Sequence, residues 1–140
     1  MWGAEDLAAS MGGKSSRRDP AAGAATGVYR DFARYARART LIEAKAAGKL
    51  AVDSVFVNIP DTDGLHAEAA DASASGFDAT ACIHPSQAAV IRSAYTASPE
   101  EVDWAERVLD EASRQPGVFR FESRVVAAPV LRRARAMLGR

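Results

Sequence analysis

Four stretches of this sequence carry residue types that could do chemistry. The most informative is 79–87, Ala-Thr-Ala-Cys-Ile-His-Pro-Ser-Gln. Ala81, Cys82 and Ile83 read as the end of a short buried strand. His84 leaves it, and Pro85 suits the first turn of a new helix, where a missing N–H costs nothing. Small side chains at 79–82 let a ligand or another backbone come close. Strand-to-helix corners of this kind are where α/β folds put their sites. The same nine residues also fit an ordinary junction capped by a histidine.

Glu5 and Asp6 are the second candidate. A carboxylate at a strand end can bind a hard divalent cation through oxygen, and acidic groups at a helix start also favour the helix dipole. Third, Gly12-Gly13-Lys14-Ser15 invites comparison with a phosphate loop. That pattern needs glycine at position 8, which is alanine, and no strand precedes it. Fourth, Asp61-Thr62-Asp63-Gly64 has calcium-like spacing, but the rest of an EF-hand loop is missing, so it reads as a helix cap.

The elements that must position these residues follow from periodicity. Residues 12–27, with Pro20, read as a loop. Residues 28–49 read as a helix whose apolar stripe is Val28, Phe32, Tyr35, Ile42 and Ala46, with Arg30, Arg34, Arg37 and Lys45 on a solvated face. Residues 52–58 read as a strand covered on both faces, ended by Pro60. A helix follows over about 65–75, and Gly76-Phe77 leads into the central strand at 79–83. Residues 86–95 form the next helix. Ser98-Pro99-Glu100-Glu101 is a capping box with proline at the first helical position. The stripe of that helix is Val102, Ala105, Val108, Leu109 and Ala112. A short hairpin, 118–121 with 124–127, turns at Glu122-Ser123, and Pro129 opens a last basic helix. Strands alternating with helices imply parallel βαβ units. Two or three strands cannot cover two sheet faces, so the chain reads as part of a larger parallel α/β architecture.

Bulk composition narrows the partners. With 18 basic and 18 acidic residues among 140, charge balance gives no case for nucleic acid or a membrane surface. The single cysteine excludes an internal disulfide and fits a reducing cytosol. No apolar run approaches the roughly 18 residues of a membrane span, and the first residues, with no basic start and no apolar h-region, do not read as a signal peptide. A cytoplasmic location is expected.

Taken together, the segments resemble the citrate lyase beta-subunit-like family of the HpcH/HpaI aldolase superfamily. The motifs that carry the resemblance are Trp2-Gly-Ala-Glu-Asp-Leu7, Tyr35-Ala-Arg37, Phe56-Val-Asn-Ile-Pro-Asp-Thr-Asp-Gly-Leu65, Gly76-Phe-Asp78, Ile83-His-Pro-Ser-Gln87, Ser98-Pro-Glu-Glu-Val102 and Trp104-Ala105. They run in order along essentially the whole chain. The resemblance implies a metal-dependent acyl-CoA lyase on a (β/α)8 TIM barrel. Such a barrel needs about 250 residues, so this chain corresponds to its C-terminal half. The expected fold is helix-rich α/β, with parallel strands near 52–58 and 79–83. The barrel part would span about 1–95, and a helical and hairpin extension about 96–140. Met-Trp-Gly-Ala-Glu-Asp lies inside the chain in such proteins, so Met1 is expected to be an internal methionine or the start of a truncated fragment.

The resemblance also implies roles. Asp6 matches the aspartate that ligates Mg2+. Its glutamate partner, the basic residues for the CoA phosphates and a substrate-positioning arginine would lie before Met1, leaving the Mg2+ site incomplete in this chain. Ala81 and Cys82 match positions whose backbone lines the CoA thioester, and His84 matches a histidine that orients the corner. The family hairpin ends in an aspartate that acts as acid/base in a neighbouring subunit of a homotrimer. Here that position is Ala127, so no catalytic residue is assigned. Alanine cannot move a proton, a step typically worth about 10²–10⁴-fold in rate.

The implied chemistry is Mg-dependent carbon–carbon cleavage of an acyl-CoA of the citryl-, malyl- or citramalyl-CoA type. Two other readings stand beside it: a non-catalytic homologue serving binding or assembly, and a fragment inactive alone.

Overall fold

A computed structural model of the chain describes residues 1–19 and 28–139. The part of the expected loop at 20–27, with Pro20, lies outside the described residues. The chain divides into two compact units, Met1–Tyr95 and Thr96–Arg140. It is helix-rich α/β with few strands.

The first unit runs α1 (Ala4–Ser10), α2 (Asp31–Ala46), β1 (Val52–Asp53), α3 (Thr62–Ser75), β2 (Ala79–Thr80) and α4 (Pro85–Tyr95). β1 and β2 pair in parallel, Val52 opposite Ala79 and Asp53 opposite Thr80. Both are far shorter than the strands expected at 52–58 and 79–83. The backbone after Asp53 finds other partners. The Val55 carbonyl accepts from Arg17 and the Phe56 carbonyl from Gln87. Val57 is 49% exposed, so this run is not covered on both faces. Ala81, Cys82 and Ile83 likewise lie beyond β2, and Cys82 and Ile83 are exposed rather than buried in a strand.

The stripe expected on α2 is also corrected. Tyr35 and Ile42 are exposed, and the buried residue of that helix is Ala33. Alanine contributes little to an apolar pattern, but it lets α2 approach closely enough to pack beside Trp2, Ala4 and Tyr29. Arg37 is not on a solvated face. It turns inward, as described below, because a buried carboxylate awaits it.

Caps follow the sequence more closely. The Asp61 side chain accepts the Gly64 N–H at 2.9 Å and starts α3. A cation is not needed to explain the acidic pair. Gly76 ends α3 with φ of 106°, a left-handed conformation that a side chain would strain. Phe56, Leu65, Ala69 and Ile91 form one apolar cluster, and Ala51, Ala72 and Phe77 another.

The second unit runs α5 (Pro99–Arg114), β3 (Phe119–Phe121), β4 (Arg124–Val126) and α6 (Ala128–Met137). The expected capping box is present. Ser98 Oγ accepts the Glu101 N–H at 3.2 Å, and Glu101 returns an oxygen to the Ser98 N–H at 3.0 Å. β3 and β4 pair antiparallel around Glu122 and Ser123, both at positive φ. Two-residue hairpin turns favour that geometry because it matches strand twist. Ala105, Val108, Phe119, Val126 and Ala134 make the core of this unit.

Candidate functional site

Ala81, Cys82 and His84 lie in the loop that leaves β2, and a polar network ties the end of β1 to α2 and the start of α1. Asp53 closes β1 with no solvent exposure. Its carboxylate accepts Trp2 Nε1–H at 2.7 Å, Arg37 Nε–H at 2.8 Å and the Ser54 N–H at 2.9 Å. Ser54 Oγ accepts the Ala4 N–H at 3.1 Å, which anchors the start of α1. Arg37 also donates to Asp71 at 2.6 Å. Burial works to lower the Arg37 pKa, but the bonds to Asp53 and Asp71 outweigh it, and the net shift is upward. Buried charge survives only when paired in this way.

A second ion pair joins Arg17 to Glu68. The Arg17 guanidinium lies over the Tyr29 ring, 4.1 Å from its centroid, and Tyr29 Oη donates to Glu68 at 3.0 Å. Burial, then the Glu68 charge, pushes the Tyr29 phenol well above its ordinary pKa.

The two carboxylates singled out at the N-terminus have different surroundings. Both lie in the first turn of α1. Glu5 is committed inward, accepting from the Ser16 N–H and hydroxyl. Asp6 is exposed and folds back over Gly3, where a β-carbon would collide with its oxygen. A hard cation such as Mg2+ takes one or two protein carboxylates, with substrate and water supplying the rest. Asp6 fits as one such ligand. Among the described residues, no group of three or more His, Cys, Asp and Glu side chains is placed to hold a metal ion.

At the other loop, Ala81 is half-buried and Cys82 exposed. Cys82 Sγ donates to the His84 carbonyl at 3.0 Å. His84 Nδ1 accepts the Ser86 N–H at 3.2 Å and lies 2.8 Å from Ser86 Oγ. An acceptor Nδ1 leaves the ring proton on Nε2. The histidine thus caps the first turn of α4 and orients the corner. In the second unit, Ala127 is the N-cap residue of α6, and no side chain caps that helix.

The roles of three residues escaped a reading of the sequence. Asp53 and Gln87 are buried polar groups whose partners lie far along the chain. Arg37 looked like surface charge. A charged residue inside the apolar run at 52–57 was the one available signal for Asp53.

Among the described residues, no helix is long and apolar enough to cross a membrane. The sequence profile of the HpcH/HpaI aldolase/citrate lyase family matches residues 1–85. A citrate lyase subunit beta-like protein of Mycobacterium tuberculosis is 51% identical over all 140 residues, which cover 49% of that protein. A mitochondrial citramalyl-CoA lyase of Mus musculus is 32% identical over 138 residues, 96% of this chain and 38% of that one. The crystal structure of CitE from Mycobacterium tuberculosis, in complex with magnesium, acetoacetate and coenzyme A, superposes with a TM-score of 0.90. It is 51% identical, with 99% of this chain and 50% of that chain covered. The chain therefore spans about half the length, or less, of these relatives. The profile match over most of the first unit and the matched order of segments through α6 lead to one conclusion: this chain belongs to the HpcH/HpaI aldolase/citrate lyase family.

Proposed function

We propose that the chain is part of a Mg-dependent carbon–carbon lyase acting on a β-hydroxyacyl-CoA of the citryl-, malyl- or citramalyl-CoA type. The observation that carries this is the superposition, at TM-score 0.90, on half of a chain that holds magnesium, acetoacetate and coenzyme A. In this reading residues 1–95 form half of a TIM barrel and 96–140 an extension. The protein works in the cytoplasm as a homo-oligomer, without nucleic acid or membrane.

Asp6, exposed at the start of α1, would hold the metal through its carboxylate. Bound there, Mg2+ would polarise the substrate's oxygens and stabilise developing negative charge. The chain's own residues do the rest of what is assigned to it. Gly3 leaves room for the Asp6 carboxylate, and Glu5 holds the following loop through Ser16. Ala81 and Cys82 offer backbone to the thioester at a corner kept in shape by His84 and Ser86. The family resemblance pairs Asp6 with a glutamate from the part of the relatives that this chain does not match, so the site is proposed to be incomplete in this chain.

The second reading is a non-catalytic homologue, or a fragment with a binding or assembly role. Ala127 favours it, because methyl cannot transfer a proton.

The test is an assay of the purified chain with Mg2+ and citramalyl-CoA or malyl-CoA. The chain alone is expected to give no turnover. Adding the half of the M. tuberculosis relative that this chain does not match should restore Mg-dependent acyl-CoA binding. Ordinary enzyme rates from the chain alone would remove the incomplete-site proposal. Failure of binding in the complemented protein would remove the lyase reading.

A further inference from the structure

Gln87 is 1% exposed, in the first turn of α4. A buried amide must find partners at both ends. Nε2 donates to the Phe56 carbonyl at 2.8 Å, and Oε1 accepts the Ile83 N–H at 3.1 Å. Phe56 lies in the segment leaving β1, and Ile83 in the segment leaving β2. The parallel ladder between those strands covers two residue pairs and ends with the Ala81 N–H on the Asp53 carbonyl, at 3.1 Å. Past that point, one side-chain amide bridges the two backbones. A leucine would fill the same volume, so packing alone does not account for glutamine here.

The bridge acts from beneath. Gln87 is buried, whereas Cys82 and Ile83, which it holds through the Ile83 N–H, are exposed. Without it, a buried donor and a buried acceptor would be left unpaired, and both segments would shift to satisfy them. We infer that Gln87 is a positioning residue: itself buried, it sets where the Ala81–Cys82 backbone stands relative to the segment that follows β1. This rests on the reading of Ala81 and Cys82 as the backbone that meets coenzyme A.

The chain's one cysteine is a built-in reporter of the corner. The experiment compares the full 140-residue chain with Gln87→Leu, Gln87→Glu and Phe77→Leu. The last thins the cluster around Ala51 and Ala72 at the opposite end of β2 and lowers stability without touching the bridge. Two rates are read under folding conditions: reaction of Cys82 with a small aromatic disulfide, and exchange of the Ile83 amide hydrogen. Gln87→Leu should speed both by about tenfold, as for a lost buried hydrogen bond. Gln87→Glu keeps the acceptor for Ile83 and should speed Ile83 exchange less. Phe77→Leu should change neither rate.

Unchanged rates in Gln87→Leu, or equal acceleration in Phe77→Leu, would overturn the inference. A second arm adds coenzyme A to the same chains complemented with the half of the M. tuberculosis relative that they do not match, and follows Cys82 on its own peptide by mass spectrometry. Coenzyme A should slow the Cys82 reaction in the parent chain and do so less in Gln87→Leu. If coenzyme A protects Cys82 equally in both, positioning fails while the reading of 81–82 stands. If it protects neither, that reading fails.

Discussion

Arg37 Nε lies 2.8 Å from Oδ2 of Asp53, a carboxylate with no solvent exposure. The pair ties α2 to the end of β1. Since Asp53 also receives Trp2, which precedes α1, and Ser54, it joins the start of the chain to α2 and β1 at one point. Truncating Arg37 leaves that carboxylate buried and short of its cation. Arg37→Met is therefore expected to destabilise by about 3–5 kcal/mol, the usual cost of breaking a buried pair from one side. Urea denaturation followed by circular dichroism measures it. A loss under about 1 kcal/mol, typical of surface pairs, would show that Asp53 is not sealed from water.

The two acidic residues of α1 should separate cleanly. Glu5→Gln weakens the hold on Ser16 and should cost about 1–3 kcal/mol, as for a hydrogen bond to a charged group. It should leave Mg2+ binding by the complemented protein intact. Asp6→Asn should do the reverse: a stability change within about 1 kcal/mol, from the helix dipole, and loss of Mg2+ binding. Calorimetric titration with Mg2+ beside thermal melts reads both. Equal metal affinity in Asp6→Asn would remove Asp6 from the site.

Ala127 begins α6 without a capping side chain. Pro129 has no N–H and the Val130 N–H already donates to the Ala127 carbonyl at 2.9 Å, so an aspartate there gains mainly from its charge at the helix start. Ala127→Asp is expected to stabilise by about 0.3–1 kcal/mol. If the position also supplies the acid/base, the same change should raise turnover of the complemented protein within about 10²–10⁴-fold. Melts of the chain and kcat of the complemented protein are independent readouts. A stability gain with no rate gain would place the acid/base elsewhere.

Stability should fall at both ends of the pH scale for identifiable reasons. Lys45 donates to both Asp78 oxygens and the Ala51 N–H to one, all at 2.7 Å. These bonds, Lys45 first, hold the Asp78 pKa below its ordinary value. A depressed carboxylate contributes stability above the unfolded value, about 3.9, and loses it as pH falls through the folded one. Asp78→Asn should flatten that acid limb in urea midpoints. Tyr29 is the opposite case. Burial raises its pKa, so its contribution is complete below about 10 and fades as pH rises further. Phenolate absorbance from Tyr29 should appear only with unfolding, checked by comparing the parent chain with Tyr29→Phe. Ionisation of Tyr29 in the folded chain would contradict its burial.

Local signals in the sequence decided much of this protein. The capping box at Ser98, the Asp61 cap, the proline starting α4 and the Glu122-Ser123 turn depend on residues within four positions of each other. Such contacts form wherever the backbone makes them. The ordered motifs also carried the family, because several short matches in sequence are far more specific than one. Tertiary structure alone decided which face of α2 is buried, where β1 and β2 stop, and what Arg37, Asp53 and Gln87 do. Tyr35 and Ile42 looked like core, yet small Ala33 faces the packing, since close approach matters there more than side-chain size. The strands end early because the carbonyls after Asp53 accept from Arg17 and Gln87, which lie 38 and 31 residues away. Burial turns a polar side chain into a connection only when its partner arrives from elsewhere in the chain, and no local pattern records that arrival.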